Sequence, residues 1–394
     1  MTMANIIQQA LRPLFLICFF IGVSVYPIKQ PEPRIRITYL SILYSLIFWS
    51  FYIYIIYHVA ILFTLNGLFL STMNCIVMII NIFTTIMSTF VNFYYHERLA
   101  ICMTKLNAID DSLKELGTPK TYHKLCIWSK RGIIIWLAYV FIMNAYDTYW
   151  WLGHQRSVFW ALTLACVTNH CIHVNTLMDL LFIIFLWHIG NRFDKINEHV
   201  QCLLAEKELE TCNRSIVTIY ESTNDHKRML WISMHIHLEL CRIARELNLM
   251  FGMQMTLETA SYLMYLTAFC YHILYTIMQG SFKKMSLLSW FICYMWACSL
   301  IMRLYIINYI CDNVVYKANG INKTIHHLTT ITRYADILKE VYQFTLQVMH
   351  YPLKFTGMGL FQFGHKFICK FYITIATFVI IMIQFKVPVN NMES

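Results

Sequence analysis

Seven apolar stretches, each close to or longer than the roughly 20 residues that cross a bilayer as a helix, limit this chain to one class of fold. They run Ile37–His58, Thr72–Tyr95, Gly132–Leu152, Ser157–Ile189, Asn248–Met278, Ser286–Cys311 and Phe355–Phe385. The first two hold no Asp, Glu, Lys or Arg, and the others hold one or two each. With 58% apolar and 13% charged residues the chain has about half the charge of an average soluble domain. The expectation is an all-α, polytopic membrane protein of seven transmembrane helices over 1–394, a single membrane domain.

An eighth apolar stretch, Leu14–Val25, is too short to span. Arg12 ahead of it gives it the look of a signal peptide, but no small-x-small site follows and Pro27 and Lys29 come directly after. It is read as a retained interfacial or re-entrant segment. The fourteen cysteines lie mostly inside spans or in the basic loops, so they do not form the framework of an oxidised extracellular domain.

Basic residues sort between alternate loops. Of 31 Lys and Arg, 26 fall before the first span, in the second, fourth and sixth loops, or at the start of the last helix. The opposite side has Arg156, Lys283, Lys284 and Lys386, and Arg303 lies within a span. The positive-inside rule then puts the N-terminus inside and, after seven spans, the C-terminus outside. That orientation is the reverse of a G-protein-coupled receptor. The net charge of +10 belongs to cytoplasmic loops beside an anionic leaflet and implies membrane lipids as partners, not nucleic acid.

The outer loops are short and the inner ones long, so segments 191–247 and 312–350 are expected to be cytoplasmic helical extensions. Leu328, Ile331, Ala335, Leu338, Tyr342, Thr345 and Met349 recur at spacings of three and four, as do Trp231, Met234, Leu238 and Cys241. These stripes suit helices packing within one chain or helices bundling between chains. Pattern alone leaves both open.

Pro352, Gly357 and Gly359 break the chain ahead of the final helix, segment 355–385. Along that helix Thr374, Thr377, Ile381 and Gln384 share one face, while Phe371, Ile375, Phe378, Met382 and Phe385 occupy another. Four such polar faces around an axis would make an uncharged path with Ile381 as an apolar constriction. The competing reading bonds both threonines to their own backbone and leaves Gln384 at the headgroups.

The string Thr377-Phe378, five apolar residues, Gln384-Phe385 resembles the C-terminal signature of the insect gustatory receptor family, threonine-tyrosine, five hydrophobics, glutamine-phenylalanine, with Phe378 in the tyrosine's place. Gln347, His350, Pro352, Phe355, Gly359 and Phe361 follow the family's lead-in to this helix, and Arg245-Glu246-Leu247-Asn248 with Phe251-Gly252 follows its approach to span five. The resemblance implies a chemoreceptor of the plasma membrane of gustatory neurons that is itself a ligand-gated, non-selective cation channel. It further implies four subunits, identical or mixed, held by a cytoplasmic anchor, a pore lined by the last helix, and Gln384 and Phe385 at the extracellular gate. A G-protein-coupled taste receptor or a secondary transporter is the alternative; the latter lacks a matched pair of broken helices here.

Aromatics crowd the expected outer ends of the spans. Asn144, Asp147 and Trp151 share a face of span three, Trp160 opens span four, and Trp290 and Tyr294 open span six. A carboxylate ringed by aromatics suits a cationic, partly apolar small molecule, here a tastant of the bitter or aversive kind. The plainer reading is an interfacial aromatic belt with Asp147 in a structural polar pair. Glu258 is expected to pair with Asn169, His170 or His173, and Arg303 and Asp179 to snorkel to the inner surface. No cofactor is expected. Neither His235-x-His237 nor His326-His327 supplies the three or four convergent ligands of a zinc site, and no nucleotide or nucleophile motif marks an enzyme.

Overall fold

The computed structural model describes residues 6–23, 34–65, 72–119, 122–153, 157–210, 216–278, 287–331 and 335–386. Among these, helices run α1 Ile6–Phe20, α2 Arg34–Leu65, α3 Thr72–Glu115, α4 Tyr122–Leu152, α5 Val158–Glu210, α6 Ile216–Met278, α7 Leu287–Ile331, α8 Ala335–His350 and α9 His365–Lys386. Two short strands, β1 Thr356–Gly357 and β2 Phe361–Gln362, separate α8 from α9.

Among the described residues six helices are long and apolar enough to cross a membrane by length and composition. The predicted fifth span, in α6, falls short for a physical reason: Gln254, Glu258, Thr259, Ser261 and Tyr262 are polar and buried, so its side chains meet protein rather than lipid. Helix α5 is the central strut. Its apolar window is 72% buried, against 17–33% in the other five. Helices α2 and α4 turn whole apolar faces outward, with Leu43, Ile47, Phe51, Ile134, Ile135 and Phe141 exposed.

Helices α5 and α6 far outrun any bilayer. At 1.5 Å per residue the 53 residues of α5 and 63 of α6 extend about 80 and 95 Å. Their far ends form a helical bundle with α3, α7 and α8. Its core includes Leu106, Ile196, Val200, Leu240, Ile243, Leu247, Val314, Ile321, Phe344 and Val348. Polar contacts pin the bundle: Arg192 grips Asp110 through Nε and Nη2 (2.8 and 3.1 Å), Lys317 meets Asp194 at 2.6 Å, and His237 Nε2 donates to the Ala318 carbonyl (2.9 Å). Burial pushes the His237 pKa down to about 4, outweighing the Ala318 bond, which favours the protonated ring.

The face of α8 that packs inward is Val341, Phe344 and Val348, so the predicted stripe is displaced. Thr345 is buried, but Tyr342 and Met349 point outward, joined by Leu346 and Tyr351. The side chains of Leu328, Ile331, Ala335 and Leu338 lie outside the described residues. Before span five, Cys241 is buried while Trp231 is exposed and stacks on His235, centroids 5.9 Å apart.

Segment α1 packs one face on the bundle and leaves Gln9, Arg12, Leu16 and Phe20 exposed. Ile7, Ala10, Leu11, Leu14, Phe15 and Cys18 are buried together, and Trp49 Nε1 donates to the Gly22 carbonyl at 3.0 Å, so it folds into the bundle.

The break before α9 is a built hairpin. Thr356 pairs with Gln362 and Gly357 with Phe361. Leu360 N–H donates to the Gly357 carbonyl (2.9 Å), with Met358 (φ 49°) and Gly359 (φ 76°) between. Two positive φ angles in succession are what a primed hairpin turn requires. The α6 residues quoted above hold this hairpin: Asn248 Oδ1 accepts from Thr356 N–H (3.1 Å), Arg245 Nη2 donates to the Tyr351 carbonyl (2.7 Å), and a Cβ at Gly252 would come within 3.3 Å of the Thr356 carbonyl oxygen. A Cβ at Gly357 would overlap Phe361 at 2.6 Å, so glycine is required there. On the other side Asn308 Oδ1 accepts from Gly364 N–H at 2.9 Å.

Candidate pore face and ligand site

Helix α9 has one buried side. Phe371, Ile375 and Val379 pack with Tyr262 and Leu266 of α6 and Ala297, Leu300 and Leu304 of α7. The remaining surface carries Ile373, Thr377, Ile380, Ile381 and Gln384, all exposed, with Thr374 half-buried at its edge. Phe378 is exposed as well, because the packed face is centred nearer Val379 than the predicted aromatic stripe. Phe385 lies in the last turn; its side chain is outside the described residues. Both threonine hydroxyls donate to their own backbone, Thr374 to Lys370 O and Thr377 to Ile373 O (2.9 Å each). Their donors are therefore used internally, while their oxygen lone pairs face outward and can still accept.

More than half the circumference of this apolar helix is uncovered among the described residues. The hairpin and the contacts to α6 and α7 fix its direction, so that face is held in place.

Behind α9 lie two polar clusters. Asn144 and Asp147 sit one turn apart on α4. Asn169 of α5 donates to Asp147 Oδ2 (2.5 Å) and Asn144 Oδ1 (3.3 Å), His173 Nε2 donates to Asn144 Oδ1 (3.2 Å), and Trp296 Nε1 of α7 donates to Asp147 Oδ1 (3.2 Å). Asp147 thus receives neutral donors only; among the described residues no Lys or Arg pairs with it. Arg156 lies outside them.

The other predicted ligand residues do not converge on this carboxylate. Trp151 is buried in a separate cluster with Val59, Ala161, Leu164 and Ala165. Trp160 and Tyr294 are 49% and 60% exposed on the outer surface. Trp290 meets His272 edge to face at 5.9 Å. Asn169, His173 and Trp296 complete the cluster. Trp296 is seven residues before Arg303 on α7, and only the register of three packed helices brings it to Asp147.

The second cluster is deeper. Arg303 of α7 donates Nε and Nη2 to Asp179 Oδ2 of α5 (3.0 and 2.6 Å) and Nη2 to Glu258 Oε2 of α6 (3.1 Å). Tyr262 O–H and Gln254 Nε2 donate to the two Glu258 oxygens (2.9 and 2.8 Å), and the guanidinium lies 5.2 Å from the Tyr262 ring centre. This corrects two expectations. Arg303 and Asp179 do not snorkel, since both are buried and joined to each other; Glu258 is partnered by Arg303, not by Asn169 or a histidine. Pairing avoids the cost of lone charges in a low-dielectric interior.

The two clusters are connected through α7. Trp296 touches Asp147, its neighbour Ala297 and Leu300 pack on α9, and Arg303 holds α5 and α6 two turns further along. Tyr139 O–H and Ser299 Oγ add a hydrogen bond between α4 and α7 at 2.9 Å. Any displacement of Asp147 therefore bears on the helix that supports the α9 face.

Comparison with known proteins gives the following. The family model described as "7tm Chemosensory receptor" matches residues 11–387. The candidate gustatory receptor 28b of Drosophila melanogaster is 23% identical over 323 residues, covering 74% of this chain; the match spans 65% of that relative's own length. The insect olfactory receptor OR5 from Machilis hrabei superposes with a TM-score of 0.67 at 11% identity, over 95% of this chain and 97% of that one. The same receptor in complex with eugenol gives 0.56 at 12% identity, over 98% and 100%.

Proposed function

From the premise that this chain belongs to the 7tm chemosensory receptor family, a multi-pass membrane receptor, we propose that it is a gustatory receptor and a ligand-gated, non-selective cation channel. Four copies, or this chain with related subunits, would turn their α9 faces toward a common axis in the plasma membrane of a gustatory neuron. The C-terminal ends would face outside, with Gln384 and Phe385 at the gate, Ile381 as the constriction, and Thr374 and Thr377 below. The observation that carries this reading is the α9 face, polar at Thr377 and Gln384, fixed in direction and uncovered among the described residues. The segments 191–247 and 312–350 would be the anchor, and the exposed Tyr342, Leu346 and Met349 of α8 are apolar surface suited to a neighbouring subunit.

The ligand is proposed to reach the Asp147 cluster. A cationic, partly apolar small molecule of the bitter or aversive kind would supply the charge that Asp147 lacks, with Asn144 and Trp296 as hydrogen-bonding and stacking walls. Eugenol, bound by the structural neighbour, is a small aromatic molecule without a cation. Trp151, Trp160, Trp290 and Tyr294 would act as packing or belt residues around the site. Ligand contact at Asp147 would move Trp296, shift Ala297 and Leu300 against Ile375, and turn α9.

The test separates pore from pocket. In cells responding to a tastant panel, Gln384→Ala is expected to change relative cation permeability or unitary conductance, whereas Asp147→Ala shifts the agonist dose-response by tenfold or more, about 1.4 kcal/mol, with conductance unchanged. Conductance that ignores every change at Thr377, Ile381 and Gln384 would remove α9 from the pore.

A further inference from the structure

At the inner start of α9 the protein has a cleft of about 930 Å3 whose walls differ in kind. One side is apolar, with Leu263, Phe367 and Phe371; the other presents Lys366 and Lys370. The two lysines are four residues apart on α9, which brings them side by side on one face. Both are exposed, and neither makes an ion pair among the described residues. The acidic side chain in the wall, Asp312, is turned to His365, with Nε2 and Oδ2 3.6 Å apart. Lys366 and Lys370 also fall within the first six residues of the span His365–Gln384, where a free cation is costly unless a counter-charge meets it.

From this juxtaposition we infer that the cleft binds an anionic phospholipid of the cytoplasmic leaflet, its phosphate between Lys366 and Lys370 and its first acyl carbons against Phe367 and Leu263. A water-filled cleft would leave the aromatic wall wet, and an apolar occupant alone would leave two charges bare. An amphipathic anion satisfies both walls at the depth where the leaflet supplies it. Because Thr374 also lines the cleft, the lipid would sit one turn below the proposed pore face and bias its position. The inference rests on the inward placement of the α9 start proposed above.

The test is lipid retention by the purified full-length protein in nanodiscs holding phosphatidylserine and phosphatidylcholine, read by native mass spectrometry. Wild type is expected to retain phosphatidylserine preferentially. Lys366→Gln/Lys370→Gln loses that preference by roughly thirtyfold, the product of two surface cations, and Lys366→Arg/Lys370→Arg keeps it. Unchanged retention in the glutamine variant overturns the proposal, as does displacement of the lipid by inorganic phosphate, which would mark a soluble-anion site. Retention needs no current, so it can fail while the pore reading stands, and the pore reading can fail while a labelled lipid still binds.

Discussion

The residue with most at stake is Arg303. It alone among the described residues neutralises Asp179 and Glu258, both buried between α5 and α6. Arg303→Met would keep much of the side-chain volume and strand two carboxyl groups, at a cost of about 3–5 kcal/mol. The expected outcome is loss of surface delivery, with partial rescue by the triple change Asp179→Asn/Glu258→Gln/Arg303→Met, which removes the charges together. A single Arg303→Met variant that reaches the surface normally would show that the cluster does not hold the bundle. Composition exposes such residues readily, since any Asp, Glu or Arg in a span is conspicuous. Which of them pair is invisible, because α5, α6 and α7 contribute one each and their relative register is set by packing. Sequence assigned Glu258 to Asn169, His170 or His173; Asn169 and His173 belong instead to the Asp147 cluster, and His170 lies against Tyr52, ring centres 5.0 Å apart.

At the scale of elements, the hairpin between α8 and α9 shows what pattern reading reaches and where it stops. Pro352, Gly357 and Gly359 mark a break, but the turn type depends on Met358, whose φ of 49° no composition would announce. A left-handed angle at a non-glycine residue costs about 1 kcal/mol or more. Met358→Gly should relieve it and raise the thermal midpoint of the purified protein, and Met358→Val, β-branched, should lower it. Equal midpoints in both would mean that the turn is not strained. The α8 stripe teaches a related lesson: apolar residues lay at helical spacing on two adjacent faces, and burial chose Val341, Phe344 and Val348 over Tyr342 and Met349.

For the whole molecule, hydropathy delimited the spans well because lipid imposes a length and a composition on any helix that faces it. It was weakest on α6, which faces protein, and for α1, too short to span, it left an interfacial and a re-entrant placement both open. The α9 face was legible as a polar stripe, and the structure added that its other side is fixed against α6 and α7. What would join the proposed ligand site to the proposed pore, the contact of Trp296 with Asp147 and the packing of Ala297 on α9, needs three-dimensional register.

The measurement that bears most directly on the pore is thiol block of current in a Cys369→Ser background, which removes the exposed native cysteine of α9. A charged, membrane-impermeant methanethiosulfonate applied from outside should block current through Gln384→Cys quickly and through Thr377→Cys more slowly, and should spare Val379→Cys, which packs inward. That order would place the α9 face on the conduction path with its C-terminal end outside. Block at Val379→Cys equal to that at Gln384→Cys, or current indifferent to the reagent at all three positions, would take α9 out of the pore.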